Sequence, residues 1–238
     1  MQRNSQQINI NNNSTKKIIS YLLLILFVPT LIIIGNYVFA NKRYSFISIG
    51  IAVIACAAFF ISFEYGKHSN IKLVLTAAMT ALSVSGRFLF AMIPGFKPVT
   101  AIVIITSLYF GAQTGFMTGA LTALISNIYF GQGPWTPFQM LAWGIVGLLG
   151  GLLSKYLKKN KWLLLIFSAI AGIIFSLIMD IWTVLWLDNS FNLPRYLTAL
   201  LGSAKSTITY AVSNVIFISL LIIPASKTLE RLKEKYGI

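Results

Sequence analysis

Apolar residues along this chain come in long blocks, separated by short segments rich in Gly, Pro, Asn and Lys. A helix needs about 20 apolar residues to cross hydrocarbon, and lipid-exposed backbone must be hydrogen-bonded within its own segment, so the blocks are expected to be membrane helices. Eight are predicted, over residues 18–39, 44–63, 71–93, 99–110, 114–130, 138–157, 162–187 and 196–223. The fourth and fifth come from one run too long for a single crossing and broken by Gly111, Gln113 and Gly115. The fourth is shorter than a normal span.

The loops test this count, because consecutive loops must alternate sides and the cytoplasmic ones carry the excess of Lys and Arg. With the N-terminus inside, Arg3, Lys16, Lys17, Lys67, Lys72, Lys155, Lys158, Lys159, Lys161, Lys227, Arg231, Lys233 and Lys235 are cytoplasmic. Lys42, Arg43, Lys97 and Arg195 fall outside, and Arg87 and Lys205 fall within spans. Merging the fourth and fifth helices would move the lysine-rich loop at 155–161 and the basic C-terminus to the wrong side. The expected fold is therefore an all-α integral membrane protein of about eight helices, multi-pass in a bacterial plasma membrane, with both termini cytoplasmic. A polar, Asn-rich segment at 1–15 reads as a disordered tail without a signal peptide. A change of composition at 64–70 separates a two-helix extension, 16–66, from a six-helix core, 71–228, dense in Gly, Thr, Ser, Asn and Trp; a basic tail occupies 229–238.

Composition narrows the function. Of 238 residues, 57% are hydrophobic and 10% charged, and the net charge of +14 lies mostly in short loops, as cytoplasmic retention requires. No nucleic-acid partner is implied, and membrane lipid surrounds the chain. The single Cys56 and single His68 exclude an internal disulfide and a multi-histidine metal site, so neither a metal nor a cofactor is expected. No phosphate-cradling loop of the form GxxxxGK followed by Ser or Thr occurs, and the stretch around Lys205 lacks the first Gly. HExxH and GxSxG are absent, and Asp180 is the one acid within a span. No catalytic residues are assigned, and the protein is not expected to be an enzyme.

Arg87, Asp180 and Lys205 lie roughly 9 to 14 Å below the outer ends of their helices at about 1.5 Å of rise per residue, all in the outer half of the membrane. A charge facing lipid costs several kcal/mol, so each is expected to face the bundle interior. One reading is an ion-pair cluster that fixes helix register. The other is a ligand site whose surplus cation favours a carboxylate, phosphate or polarised amide oxygen. The segments AMIPGFKP and FGQGPWTPFQM lie above it, and their Pro, Gly and aromatic residues suit a shaped lid. A tight helix connection with Trp135 in the interfacial aromatic belt is the alternative. Asn127, Gln132, Trp135, Gln139, Trp143 and Trp182 complete the candidate binding set. Gln139 and Trp143 share a helix face, and Trp182 is deep enough to stack on a flat ligand.

Ala77 and Ala81, four apart, form a strip of small residues that lets another helix approach closely, roughly 120° around the helix from Arg87. With GFKPVTAIVIITSLYFG and FGQGPWTPFQM, this strip resembles the S components of energy-coupling-factor (ECF) transporters, over about the last two thirds of the chain. The resemblance implies a six-helix substrate-binding subunit that captures a vitamin from outside. Its partners would be a transmembrane coupling protein (EcfT type), which Ala77 and Ala81 would touch, and two cytosolic ATPases. The FGQGPW loop most resembles S components for cobalamin or related corrinoids, although its aromatics suit riboflavin or another flat vitamin too. The rival readings are a self-sufficient secondary carrier, which should show internal repeats that are not found, and an assembly subunit without a ligand.

Overall fold

A computed structural model of the chain describes residues 70–236, together with Ile49, Gly50, Val53, Ile54, Cys56, Ala57 and Phe60 of a preceding helical segment. The tail at 1–15, the first expected span and most of the second lie outside the described residues. Six long helices and one short turn follow: α1 (Asn70–Leu89), α2 (Val99–Phe110), α3 (Ala112–Phe130), α4 (Thr136–Leu152), α5 (Ser154–Leu157), α6 (Lys161–Asp188) and α7 (Leu193–Tyr236). No strand occurs among them. Three helices, covering Ile71–Leu89, Lys161–Asp188 and Leu193–Tyr236, are long and apolar enough to cross a membrane, while α2 and α4 are shorter apolar helices.

The helix ends follow from local chemistry. Gly111 separates α2 from α3 at φ 92°, in the region that only glycine enters freely, so the chain reverses between two apolar helices. Pro137 in the first turn of α4 removes a donor that no helix could satisfy there. At α6 the Asn160 side chain accepts hydrogen bonds from the Trp162 and Leu163 amides, at 2.9 and 3.2 Å. Asn189 closes the same helix in the left-handed conformation, φ 52°.

Every residue of α2 is buried. It touches α1, α3, α4, α6 and α7, and so sits at the centre of the bundle. This accounts for a helix too short to be an ordinary span. At about 1.5 Å per residue it is roughly 18 Å long, and a helix wrapped by protein on all sides is released from matching the bilayer thickness. The sequence-based division of residues 99–130 into two helices is observed in the structure.

Close backbone approach holds α3 against α4. A Cβ at Gly119 would stand 2.5 Å from the Trp143 carbonyl oxygen, and one at Gly147 would meet the backbone of Gly115 and Phe116. Large side chains fill the space beside these contacts: Phe116, Phe138 and Leu148 are all but fully buried. On the other side, α6 and α7 are tied by Ser176 and Thr207, whose hydroxyl oxygens are 2.6 Å apart, and by the Asn214 amide donating to the Ser168 carbonyl at 3.1 Å.

The basic segment from residue 229 is helical, because α7 continues to Tyr236 past Pro224. The cause is burial: Leu229 is buried in the same apolar cluster as Tyr109 and Leu157. Lys158 lies over the Tyr109 ring, 4.3 Å from its centroid. Burial and nearby Lys233 hold the Lys158 ammonium below its ordinary range, with Glu230 opposing them.

Gly119→Ala should lower the melting temperature of the purified protein by the equivalent of about 1–3 kcal/mol, the usual penalty of overpacking against backbone. Gly202→Ala, where a Cβ meets nothing, should be neutral or stabilising. Equal melting temperatures for the two variants in one detergent would contradict the close α3–α4 packing.

Candidate ligand site

Helix α1 ends by carrying Arg87 into the bundle, where only 7% of the residue is exposed. Its Nη1 donates to the Ser126 hydroxyl and, at 2.8 Å, to the Asn127 carbonyl oxygen. The Asn127 amide passes the chain on, donating to the Thr136 hydroxyl at 3.0 Å and to the Gln139 carbonyl oxygen at 2.8 Å. Thr136 in turn donates to the Gln132 side-chain oxygen at 2.9 Å, and the Gln132 amide donates to the Leu124 carbonyl at 2.7 Å. One guanidinium thus joins α1, α3, the 131–135 turn and α4 through a single polar chain. Aromatic faces supply the rest of its environment. The Arg87 guanidinium carbon lies 4.7 Å from the centroid of Phe130 and 5.3 Å from that of Trp143.

Beside this network lies a small cavity of about 30 Å³, lined by Gly95, Lys97, Val99, Thr100, Trp143, Phe175, Tyr210 and Asn214. It has room for a water or two. Its walls come from the 90–98 loop, α2, α4, α6 and α7. Trp143 and Phe175 are stacked, with centroids 4.9 Å apart and planes 25° from parallel, and Tyr210 meets Phe175 edge-on at 5.4 Å. The indole nitrogen of Trp143 donates to the Thr100 hydroxyl at 3.3 Å. The loop closes the cavity, because the Lys97 amide donates to the Ser213 hydroxyl at 3.0 Å. Phe90 and Phe96 pack on Phe217, each ring centroid 4.9 Å from it.

The structure sorts the expected binding residues into separate places. Trp143 lines the small cavity, while Arg87, beside the Trp143 ring, forms the network behind it with Asn127 and Gln139. Gln132 lies instead beside a larger cavity of about 460 Å³, lined chiefly by Val53, Cys56, Ala57, Phe60, Leu124, Pro137 and Met140. Trp135 is 38% exposed, and its ring lies where a Cβ on Gly133 would be. Trp182 is not open to a ligand: it is buried between Phe138 and Trp186, with ring centroids at 5.4 and 5.1 Å.

The three intramembrane charges do not form a cluster. Among the described residues the one ion pair joins Arg195 to Asp188, at 3.2 Å. Asp180 is 8% exposed and accepts a hydrogen bond from the Ser203 hydroxyl at 2.6 Å. Lys205, expected to face the interior, is exposed on α7. Asp180 and Ser203 are both turned to the α6–α7 seam, and Lys205, two residues on, is carried roughly 200° around α7, away from it. Ala77 and Ala81 are exposed on α1, together with Ala78 and Ser85, so the strip of small residues is open.

Lys97, Thr100, Phe175, Tyr210 and Asn214 are cavity residues that the sequence reading did not select. Asn214 carried a usable signal, because a buried amide in an apolar helix is costly unless it has a partner or a task. Phe175 and Tyr210 carried none, since aromatic residues are ordinary in such helices. Among the described residues, no three His, Cys, Asp or Glu side chains come together as metal ligands.

Residues 67–231 match the family described as the S component of ECF-type riboflavin transporters. No curated protein and no solved structure matches the chain. The match supports the S-component resemblance and gives no support to corrinoid specificity.

Asn127→Ala should destabilise the protein by about 2–3 kcal/mol, because it removes an acceptor from a buried guanidinium and two further donor contacts. Gln132→Ala, at the exposed end of the chain, should cost less than about 1 kcal/mol. Thermal unfolding of both variants in one detergent checks the order; a larger loss at Gln132 would contradict it.

Proposed function

Because this chain belongs to the S-component family of ECF-type riboflavin transporters, we propose that it captures riboflavin or a closely related flavin in the cavity beside Arg87. At the coarser level its role is fixed by the family. It is the substrate-binding membrane subunit of an ECF-type vitamin transporter, a transport protein and not an enzyme.

The observation that carries the flavin reading is the stack of Trp143 on Phe175 with Tyr210 at its edge, bordered by Thr100 and Asn214. Flat aromatic faces with a few polar groups suit a planar, carbonyl-bearing ring system. Sites for ligands of this size have volumes of about 300–1,000 Å³. The observed cavity is far smaller, so binding requires the 90–98 loop to lift from Ser213 and Phe217. The larger cavity has the volume but a mostly apolar lining. Four of its residues, from Val53 to Phe60, also lie outside the segment shared with the family. A corrinoid has no comparable support.

In this proposal the 90–98 and 131–135 turns face the exterior of a bacterial plasma membrane, and both termini are cytoplasmic, as the distribution of Lys and Arg favours. The segment at 16–66 is an accessory to the six-helix core. Ala77 and Ala81 are the docking strip for the EcfT-type coupling protein, whose two cytosolic ATPases energise delivery. Exposure of Ala77, Ala78 and Ala81 along one face of α1 supports this role.

Purified protein should quench flavin fluorescence on titration with riboflavin. Trp143→Ala should weaken that binding by about 0.5–1.5 kcal/mol beyond the loss of buried area. Absence of binding to riboflavin and to every flavin analogue would overturn the reading. Replacing both Ala77 and Ala81 by Leu should abolish copurification of the coupling protein and ATPases while flavin titration is retained. Copurification at the normal level would remove these two residues from the docking surface.

A further inference from the structure

Cations from two separate segments converge at one end of the bundle. Lys155, Lys158, Lys159 and Lys161 fill the connection from α4 to α6, and all four are exposed. Lys227, Arg231, Lys233 and Lys235 are exposed on the last turns of α7. Apolar packing joins the two segments, because Leu229 of α7 is buried in one cluster with Tyr109, Leu157 and Leu164. The contact is close enough for charge to act across it. Burial first, and then Lys233, hold the Lys158 ammonium below its ordinary value, against the opposing pull of Glu230.

Cytoplasmic retention accounts for cations in each segment, but it does not require the two segments to be packed together. The acids at this end do not balance them. Among the described residues these are Glu230 and Glu234, both exposed on α7, against eight cations. The one ion pair among the described residues, Arg195 with Asp188, lies at the other end of α6 and α7. Packing thus imposes a repulsion that Glu230 relieves only in part.

Position identifies the missing counterion. Lys161 and Trp162 open α6, one of the helices long and apolar enough to cross a membrane, so the patch begins where that span begins. Tyr156 and Trp162 beside it are 59% and 75% exposed, and exposed Tyr and Trp favour the headgroup level of a bilayer. Cations and amphipathic rings at one depth match a layer of anionic headgroups over hydrocarbon. A soluble polyanion would engage the cations and leave the rings without a partner.

We propose that this end of the bundle is a docking surface for anionic phospholipid, whose headgroup phosphates are held between the α4–α6 connection and the end of α7. Each phosphate accepts hydrogen bonds from Lys and Arg side chains while Tyr156 and Trp162 lie among the headgroups. The bound lipid neutralises the charge that the Leu229 contact brings together, and so fastens the end of α7 to the bundle. The surface is separate from the small cavity and independent of what that cavity binds.

The test is native mass spectrometry of the full chain, released from detergent that holds equal amounts of phosphatidylglycerol and phosphatidylcholine with the same acyl chains. Phosphatidylglycerol should be retained about tenfold over phosphatidylcholine, the effect of one or two such contacts, and the ratio should shrink at high salt. Combining Lys155→Gln, Lys158→Gln, Lys159→Gln and Lys161→Gln should bring the ratio near one, and Arg231→Gln with Lys233→Gln should lower it. Arg195→Gln with Lys205→Gln, nearer the other end of α7, should leave it unchanged. Equal retention of the two lipids, or a preference that survives both sets of substitutions at the patch, overturns the proposal. Release of phosphatidylglycerol by an equal concentration of glycerol 3-phosphate also overturns it, since the site would then be one for a free anion. Melting temperatures in phosphatidylcholine alone show which variants are folded; if the fourfold variant is not, the Arg231 and Lys233 pair decides the question.

Discussion

A guanidinium buried in a helical bundle without a carboxylate has to be solvated by whatever neutral groups the bundle can turn toward it. Removing such a charge from water costs several kcal/mol, so every group near Arg87 is committed to it. Ser126 and Asn127 accept from it, and Phe130 and Trp143 lie within cation–π distance. Because Asn127 also donates to Thr136 and Gln139, the same charge fixes the 131–135 turn and the start of α4. The turn is stiff because it belongs to this chain of bonds, and not only because it contains Pro134 and Pro137.

The helices can converge on that chain because α3 and α4 approach at backbone distance. Gly119 lies against the carbonyl of Trp143, so the helix that holds Asn127 and the helix that holds Trp143 are brought together by a missing side chain. Helix α2 occupies the centre with no lipid-facing residue, and Thr100 in its first turn accepts the Trp143 indole hydrogen bond. Packing of small residues and satisfaction of polar groups, rather than apolar burial alone, are the expected means of joining helices in a bilayer. The small cavity forms where this packing stops, under a loop tied to α7 by Ser213 and three Phe rings.

Much of this architecture was legible in the residue pattern. Apolar blocks of span length marked the helices, Gly111 divided one block into two, and the distribution of Lys and Arg favoured an even number of crossings. The polar residues Arg87, Asn127, Gln139 and Trp143 stood out because intramembrane polar groups are expensive and need partners. The S-component resemblance, carried by the Ala77–Ala81 strip and two loop motifs, agrees with the family match over 67–231. The loop motif read as corrinoid-like had less to say, because the same aromatic and Pro–Gly residues build a structural turn.

What the sequence by itself determined is the set of constraints that act one helix at a time: length, hydropathy, breaks, and which side chains are too polar to face lipid. Which of those polar side chains meet was decided only by the tertiary structure. The depths of Arg87, Asp180 and Lys205 along their helices agree, yet depth says nothing of rotation about the axis. The packed bundle turned Arg87 toward Asn127, Asp180 toward Ser203 and Lys205 outward. It also brought Trp143, Phe175 and Tyr210 from three helices into one stack, a contact that no single helix encodes.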